Sequence, residues 1–305
     1  MAKQTTWTGA SSSVWDTAGN WSNGVPASTD TCVIDGAVSI TGGTVTADTF
    51  VSLFVASTYT GAIGSTGTPL ELDIAQLSVD NNVSGAIHYI HLEGSVANPT
   101  PTAMIAGAKT GTALYLSGDL NLVIVEEDFA GVMYLGNSAS KTAVPKDLVM
   151  LTTTGSVDAS VAANVAWVTA STINMSSGTL TLGENIGTDS SMIVSGGTVN
   201  VSGWTVTTGD TFTIQGSGTV NWNAGSAGLS ADAVHTVRTI NLISGTFTTA
   251  ANEYAYVGLN DINQYGGTLN LQSSVTNIDI NGTYNAYAGT FVSPKQSVLT
   301  TTAKT

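Results

Sequence analysis

A single-stranded, right-handed parallel β-solenoid is the fold this sequence predicts, and three observations predict it. A small–Gly–small–apolar motif recurs along the chain, the residues after it alternate strictly, and the composition is poor in helix formers. Clear copies of the motif are Ser177-Gly178-Thr179-Leu180, Gly196-Gly197-Thr198-Val199 and Ser217-Gly218-Thr219-Val220. Ser244-Gly245-Thr246-Phe247, Gly266-Gly267-Thr268-Leu269 and Ala288-Gly289-Thr290-Phe291 continue the series, with looser copies at Gly43, Gly61, Gly85, Gly111, Gly131 and Gly155. Successive glycines lie about 18 to 27 residues apart, averaging roughly 22, within the period range of solenoids. One glycine per coil gives about twelve coils.

Each part of the motif has a physical role. Glycine reaches positive φ without steric cost, so Gly43, Gly178, Gly197, Gly218, Gly245, Gly267 and Gly289 are the candidate coil corners. The residues that follow, such as Thr198-Val199-Asn200-Val201 and Thr268-Leu269-Asn270-Leu271, place apolar groups on one face and Thr or Asn on the other. One such strand cannot bury its apolar face alone. Stacking coil on coil, about 4.8 Å apart, pairs the backbone and joins the apolar faces into a core. Leucine-rich repeats and the calcium-binding nonapeptide lack their signatures here. A β-sandwich or jelly roll is the rival, because it too shows short strands and glycine turns.

Of the 305 residues only 9% are charged, against about a quarter in ordinary soluble proteins. The outer faces must therefore be largely hydroxyl and amide. Net charge is −14 with seven Lys plus Arg, no two of them closer than about five positions, which argues against nucleic-acid binding. The single cysteine, Cys32, reads as a small core residue beside Val33 and Ile34. The N-terminus lacks the apolar stretch of a secretory leader, and no run of 18 apolar residues suggests a membrane span, so assembly in a cytoplasm is expected.

Three segments are expected. Residues 1–35 form a Trp-rich cap or docking segment, 36–293 the parallel β-helix, and 294–305 a C-terminal tail with little to bury. Trp7, Trp15 and Trp21, with Asn20 and Pro26, stand in a Gly/Asn/Pro-turned stretch. Indoles there would cover the exposed end of the first coil, or dock on a partner. The first coils are expected from Val33 to Gly61, strands at 113–124 and 130–135, and the most regular coils from Thr172 to Val292. Asn98–Ala108, which contains Pro99 and Pro101, reads as an external loop. The Ala-rich run 158–170 suggests a turn or two of helix, and Leu229–Val234 a short helical excursion.

The pattern Trp7-Thr8-Gly9, Trp15, Asn20-Trp21, Gly24-Val25-Pro26, Asp30, then Val33-Ile34-Asp35-Gly36, resembles the start of β-helical passenger and surface proteins, and similar segments occur in virion proteins of tailed bacteriophages. The specific part covers about 30 residues; beyond it the likeness is one of repeat type. The resemblance implies a non-enzymatic structural protein of a phage virion, foremost a capsid decoration or cement protein. Its partners would be the major capsid protein or other virion proteins, and it would form a homo-oligomer, a trimer favoured. A receptor-binding tail fibre or spike, with Trp204 and Trp222 as the solenoid aromatics for sugar binding, or a surface adhesin binding glycans, is the alternative.

Glu126 and Asp128, two apart, would share a strand face and offer the carboxyl pair of a glycosidase. A solvated acidic strand end explains them equally well. His88 and His91, three apart on a strand, would face opposite ways and form no chelate. No nucleophile elbow or phosphate loop occurs. No catalytic, metal or cofactor residue is expected.

Overall fold

The computed structural model describes residues 2–80, 87–93, 101–107, 113–136, 141–152, 154–160, 165–183, 190–201, 211–222, 237–249, 257–271, 277–280, 283–292 and 298–301. The chain divides into two compact units, Met1–Asp158 with Ala163–Ala166, and Ala159–Ala162 with Trp167–Thr305. Both are built of short parallel strands, with one 3-10 turn, Ala18–Asn20, as the only helix among the described residues.

In the first unit the strands are β1 (Gln4–Trp7), β2 (Thr31–Ile34), β3 (Gly43–Val55), β4 (Leu70–Asp80), β5 (Ile87–Leu92), β6 (Thr102–Ala106), β7 (Ala113–Val125), β8 (Val132–Leu135), β9 (Ala143–Met150) and β10 (Ser156–Ala159). They stack in two columns. The first runs Cys32, Leu53, Leu77, Ala103, Val123, Leu148, each directly over the last and each 0% exposed. Cys32 is thus one rung of a hydrocarbon row, as its neighbours in sequence suggest. The second column steps from Gly43 through Leu70, Ile90 and Leu116 to Leu135.

The second unit repeats this with β11 (Thr172–Met175), β12 (Thr179–Leu182), β13 (Ser191–Val194), β14 (Thr198–Val201), β15 (Thr211–Ile214), β16 (Thr219–Trp222), β17 (Val237–Leu242), β18 (Thr246–Thr249), β19 (Val257–Gln264), β20 (Thr268–Asn270), β21 (Asn277–Ile280), β22 (Tyr284–Ala286), β23 (Thr290–Val292) and β24 (Val298–Thr301). One column steps Thr179, Thr198, Thr219, Thr246, Thr268, Thr290, so the threonine of every motif sits over the next. All strand-to-strand registers in both units are parallel, which sets aside the sandwich of antiparallel hairpins.

The Gly-Thr pair has a backbone reason. The corner glycine's carbonyl accepts the amide of the threonine one coil on: Thr198 N–H to Gly178 O at 2.9 Å, Thr219 to Gly197 at 3.0 Å, Thr268 to Gly245 at 2.8 Å, Thr290 to Gly267 at 2.8 Å. Gly43, Gly178, Gly197, Gly245, Gly267 and Gly289 take positive φ as expected. Gly218 does not. Its corner, Gln215–Gly218, is one residue longer than the others and closes with a Gly218 N–H to Gln215 O bond at 3.0 Å, so Gly216 takes φ +58° instead. Gly218 is held to glycine by proximity, since a Cβ would lie 2.3 Å from Val194 O.

Steps within the two units amount to about nine turns, short of the twelve coils that one glycine per coil gives. Gly61, Gly131 and Gly155, counted among the looser copies, mark no positive-φ corner. Three smaller expectations also change. Thr102–Ala106, inside the expected loop Asn98–Ala108, is strand β6 with alternating burial. Pro101 stays outside the ladder while its carbonyl still accepts Asn121 N–H at 3.0 Å. No helix occurs among the described residues of 158–170, which begin with the end of β10. Val298–Thr301, within the segment set apart as a tail, forms β24 and pairs with β21. Leu229–Val234 lies outside the described residues.

Candidate functional site

The Trp-rich segment closes on itself. Trp7, Trp15 and Trp21 are 1%, 2% and 4% exposed. Their rings meet at 6.4, 5.3 and 4.6 Å, and Trp15 stacks on Phe50 of β3 at 5.7 Å. Trp7 Nε1 donates to Val38 O at 3.0 Å and Trp21 Nε1 to Trp15 O at 2.7 Å. Asn20, fully buried, organises the loop: its Oδ1 accepts the amides of Ser11 and Ser12, and its Nδ2 donates to Ser12 Oγ and Val14 O. Pro26 is buried, and Asp30 accepts the amides of Lys3 and Ala27. Indoles so enclosed serve as packing and offer a partner almost no surface. Both β1 and β2 belong to the stack, Gln4–Trp7 lying over Thr31–Ile34.

A polar row that the sequence did not single out runs up the second column of the same unit. Thr44, Glu71, His91 and Ser117 occupy successive rungs. Thr44 Oγ1 donates to Glu71 Oε2 at 2.6 Å, Lys141 Nζ lies 2.8 Å from Glu71 Oε1, and His91 Nδ1 lies 3.0 Å from Ser117 Oγ. Burial works to raise the Glu71 carboxyl, but the hydrogen bonds and charge of Lys141, the Thr44 hydroxyl and His91 hold it below the usual range. Burial and the Lys141 charge lower the His91 imidazole, against Glu71 and Asp119. The row borders a shallow cleft of about 360 Å³ lined by His91, Leu92, Glu93, Gly118, Asp119, Thr142 and Val144. The Glu–His–Ser order has the residue types of a hydrolase triad, yet Ser117 is 1% exposed, so its hydroxyl is not offered to a substrate. Sequence missed the row because its members are 20 to 27 residues apart and share only a register.

The acidic run sits elsewhere than expected. β7 ends at Val125, and Glu126–Phe129 forms a turn closed by Phe129 N–H to Glu126 O at 3.2 Å, so Glu126 and Asp128 do not share a strand face. They border a shallow cleft of about 520 Å³ with Met104, Ile124, Glu127 and Leu151, where Asp128 accepts Gly107 N–H at 3.2 Å. Burial and the neighbouring Asp128 charge raise the Asp80 carboxyl.

His88 and His91 do face opposite sides of β5. His88 is fully buried, its ring 5.8 Å from Tyr59, and burial lowers it to about 4. Burial, then the Asp30 charge, push the Cys32 thiol far up, which makes it unreactive. No group of three metal-ligating side chains occurs among the described residues, and none of their helices is long and apolar enough to cross a membrane. Trp204 lies outside the described residues, and of Trp222 only the backbone of β16 is described.

The outer walls carry the remaining regularity. In the second unit Asn221 Nδ2 donates to Asn200 Oδ1 at 2.9 Å, and Asn285, Asn263 and Asn241 form a second amide ladder with steps of 3.0 Å. In the first unit Tyr89, Tyr115 and Tyr134 stack at 4.3 and 4.6 Å, within 11° of parallel. No family model, curated protein or solved structure matches this chain.

Proposed function

We propose that the chain is a non-enzymatic structural protein of a tailed-phage virion, foremost a capsid decoration or cement protein that stabilises the shell through contact area. The observation that supports this reading best is the uncharged amide row, Asn241–Asn263–Asn285, beside the Thr and Asn rows of the other column. Such a row is regular, each step being 3.0 Å. Each amide in the ladder is held by the one below it, so little side-chain entropy is lost when a partner covers the wall. Contact along the row desolvates amides that can be paired again across the interface, and Asp261, on the same face of β19, already accepts Thr283 N–H at 2.8 Å. The two clefts are shallow, and the serine that a hydrolytic reading of the polar row would need is enclosed.

The same walls would serve a tail fibre or spike, and the two readings differ in copy number. Quantitative mass spectrometry of gradient-purified virions from the host carrying this gene tests both. A decoration protein is present in numbers comparable with the shell subunit, and a fibre in a few to tens of copies. Virions that lack the chain would remove the proposal.

A further inference from the structure

We propose that the outer wall of the first column in the first unit is a docking surface for a cationic amphipathic helix of a protein partner. The middle row of that wall runs Val33, Phe54, Ser78, Met104, Ile124, Val149, each in register with the next and each half-buried. All but Ser78 are apolar. Stacking alone does not call for apolar groups on the outside, since an outward row of the second unit is built on Asn241, Asn263 and Asn285. On one side the row is bordered by the neutral polar Thr31, Ser52, Gln76 and Thr102. Along the other margin Asp35, Asp80 and Glu126 stand one residue beyond the buried Ile34, Val79 and Val125. The ion pairs among the described residues, Lys3 with Asp30 and Lys141 with Glu71, leave this acidic margin without a counter-charge. The acids crowd one another, because burial and then the Asp128 charge raise the Asp80 carboxyl.

The occupant follows from how apolar row and acidic margin meet. The cleft of about 520 Å³ is lined by Met104 and Ile124 of the row together with Glu126, Glu127 and Asp128. Such a lining fits Lys or Arg, whose hydrocarbon stem covers apolar surface while the charged head reaches carboxylates. An apolar partner without cations would desolvate those carboxylates and leave them unpaired. Strand addition is barred, because β2, β3, β4, β6 and β7 each have parallel neighbours on both sides. Side chains must therefore carry the recognition, as they do when a helix lays its apolar face on a partner. Five steps of about 4.8 Å make the row about 24 Å long, the length of a helix of about 16 residues. Apart from its one 3-10 turn this chain has no helix among the described residues, so the helix belongs to a different protein.

Calorimetric titration of the full chain with a synthetic Leu/Lys amphipathic peptide of about 16 residues tests this. A scrambled peptide of the same composition and a Leu/Glu counterpart serve as controls. Saturable one-to-one binding of the first peptide alone is expected. Met104→Ser with Ile124→Ser, and separately Asp80→Asn with Glu126→Gln, should each weaken it about tenfold or more, with unchanged far-ultraviolet dichroism. Glu93→Gln with Asp119→Asn removes the same charge beside the other cleft and should leave the affinity within about twofold of wild type. No binding of the Leu/Lys peptide would overturn the proposal. Equal binding of the scrambled peptide, or an equal loss from the Glu93 and Asp119 pair, would reduce the attraction to net charge and overturn it too. So would a wild type that binds phosphatidylcholine vesicles and loses them with Met104→Ser and Ile124→Ser, which would assign the row to a lipid surface.

Discussion

Trp21 donates its indole N–H to the main-chain carbonyl of Trp15 across 2.7 Å, and the two rings meet edge to face at 4.6 Å. This one pair ties the loop of the first 35 residues to the row that ends on Phe50, so it should carry much of the stability of the first coils. Trp21→Ala removes a buried ring and leaves Trp15 O without its donor, a loss of about 3 to 5 kcal/mol. Trp21→Phe keeps most of the packing and loses the hydrogen bond, about 1 to 2 kcal/mol. Urea unfolding followed by tryptophan emission measures both. Equal midpoints for wild type and Trp21→Ala would mean that the cluster is not a cap.

Corner glycines should separate by what surrounds them. Gly245 has φ +78° and its Cβ would lie 2.4 Å from Gly218 O, whereas Gly36, at φ +92°, has nothing within 4 Å. Gly36→Ala should cost about 1 to 2 kcal/mol of backbone strain, and Gly245→Ala clearly more, because neighbouring backbone must also move. Gly218→Ala should resemble Gly245→Ala despite its ordinary φ. Thermal melts of the three variants check the order, and a mild Gly218→Ala would contradict the close approach to Val194.

That contrast shows how far the sequence carries. Period and alternation were enough for the parallel stack, because a strand that repeats every 22 or so residues can bury its apolar face only against its own copies. Gly218 looked like its neighbours in the motif, and only the longer corner Gln215–Gly218 moves the positive φ to Gly216. Thr102–Ala106 was hidden by the prolines before it, since Pro101 gives up an amide but not its carbonyl. The Glu71–His91–Ser117 row was not legible at all: it exists only through register, and register depends on where each coil turns.

Burial holds the His88 imidazole near 4, below its ordinary 6.5, so the folded state keeps it neutral where the unfolded chain takes up a proton. The sign follows: stability is unaffected above pH 6.5, falls as pH drops through the window, and levels off below about 4. The full loss is on the order of 3 kcal/mol. His88→Phe, which keeps a ring against Tyr59, should be less pH-sensitive than the wild type by that difference. Parallel stability curves for the two proteins between pH 7 and 4 would refute the assignment.

In the amide ladder Asn263 both donates to Asn241 and accepts from Asn285, each at 3.0 Å. Asn263→Asp keeps the acceptor and replaces the donor with a second acceptor, so Asn241 Oδ1 faces a carboxylate. The expected loss is about 1 kcal/mol at neutral pH, recovered as the new carboxyl protonates in acid. An Asn263→Asp variant with no pH-dependent penalty relative to wild type would mean that the ladder contributes nothing.

Contact rather than chemistry is the role proposed for this chain, and an image of the virion tests it most directly. Cryo-electron microscopy of virions containing this chain, compared with virions from which its gene has been deleted, should show narrow solenoid density lying against the shell in the first and bare shell in the second. Identical shells in the two preparations would contradict it.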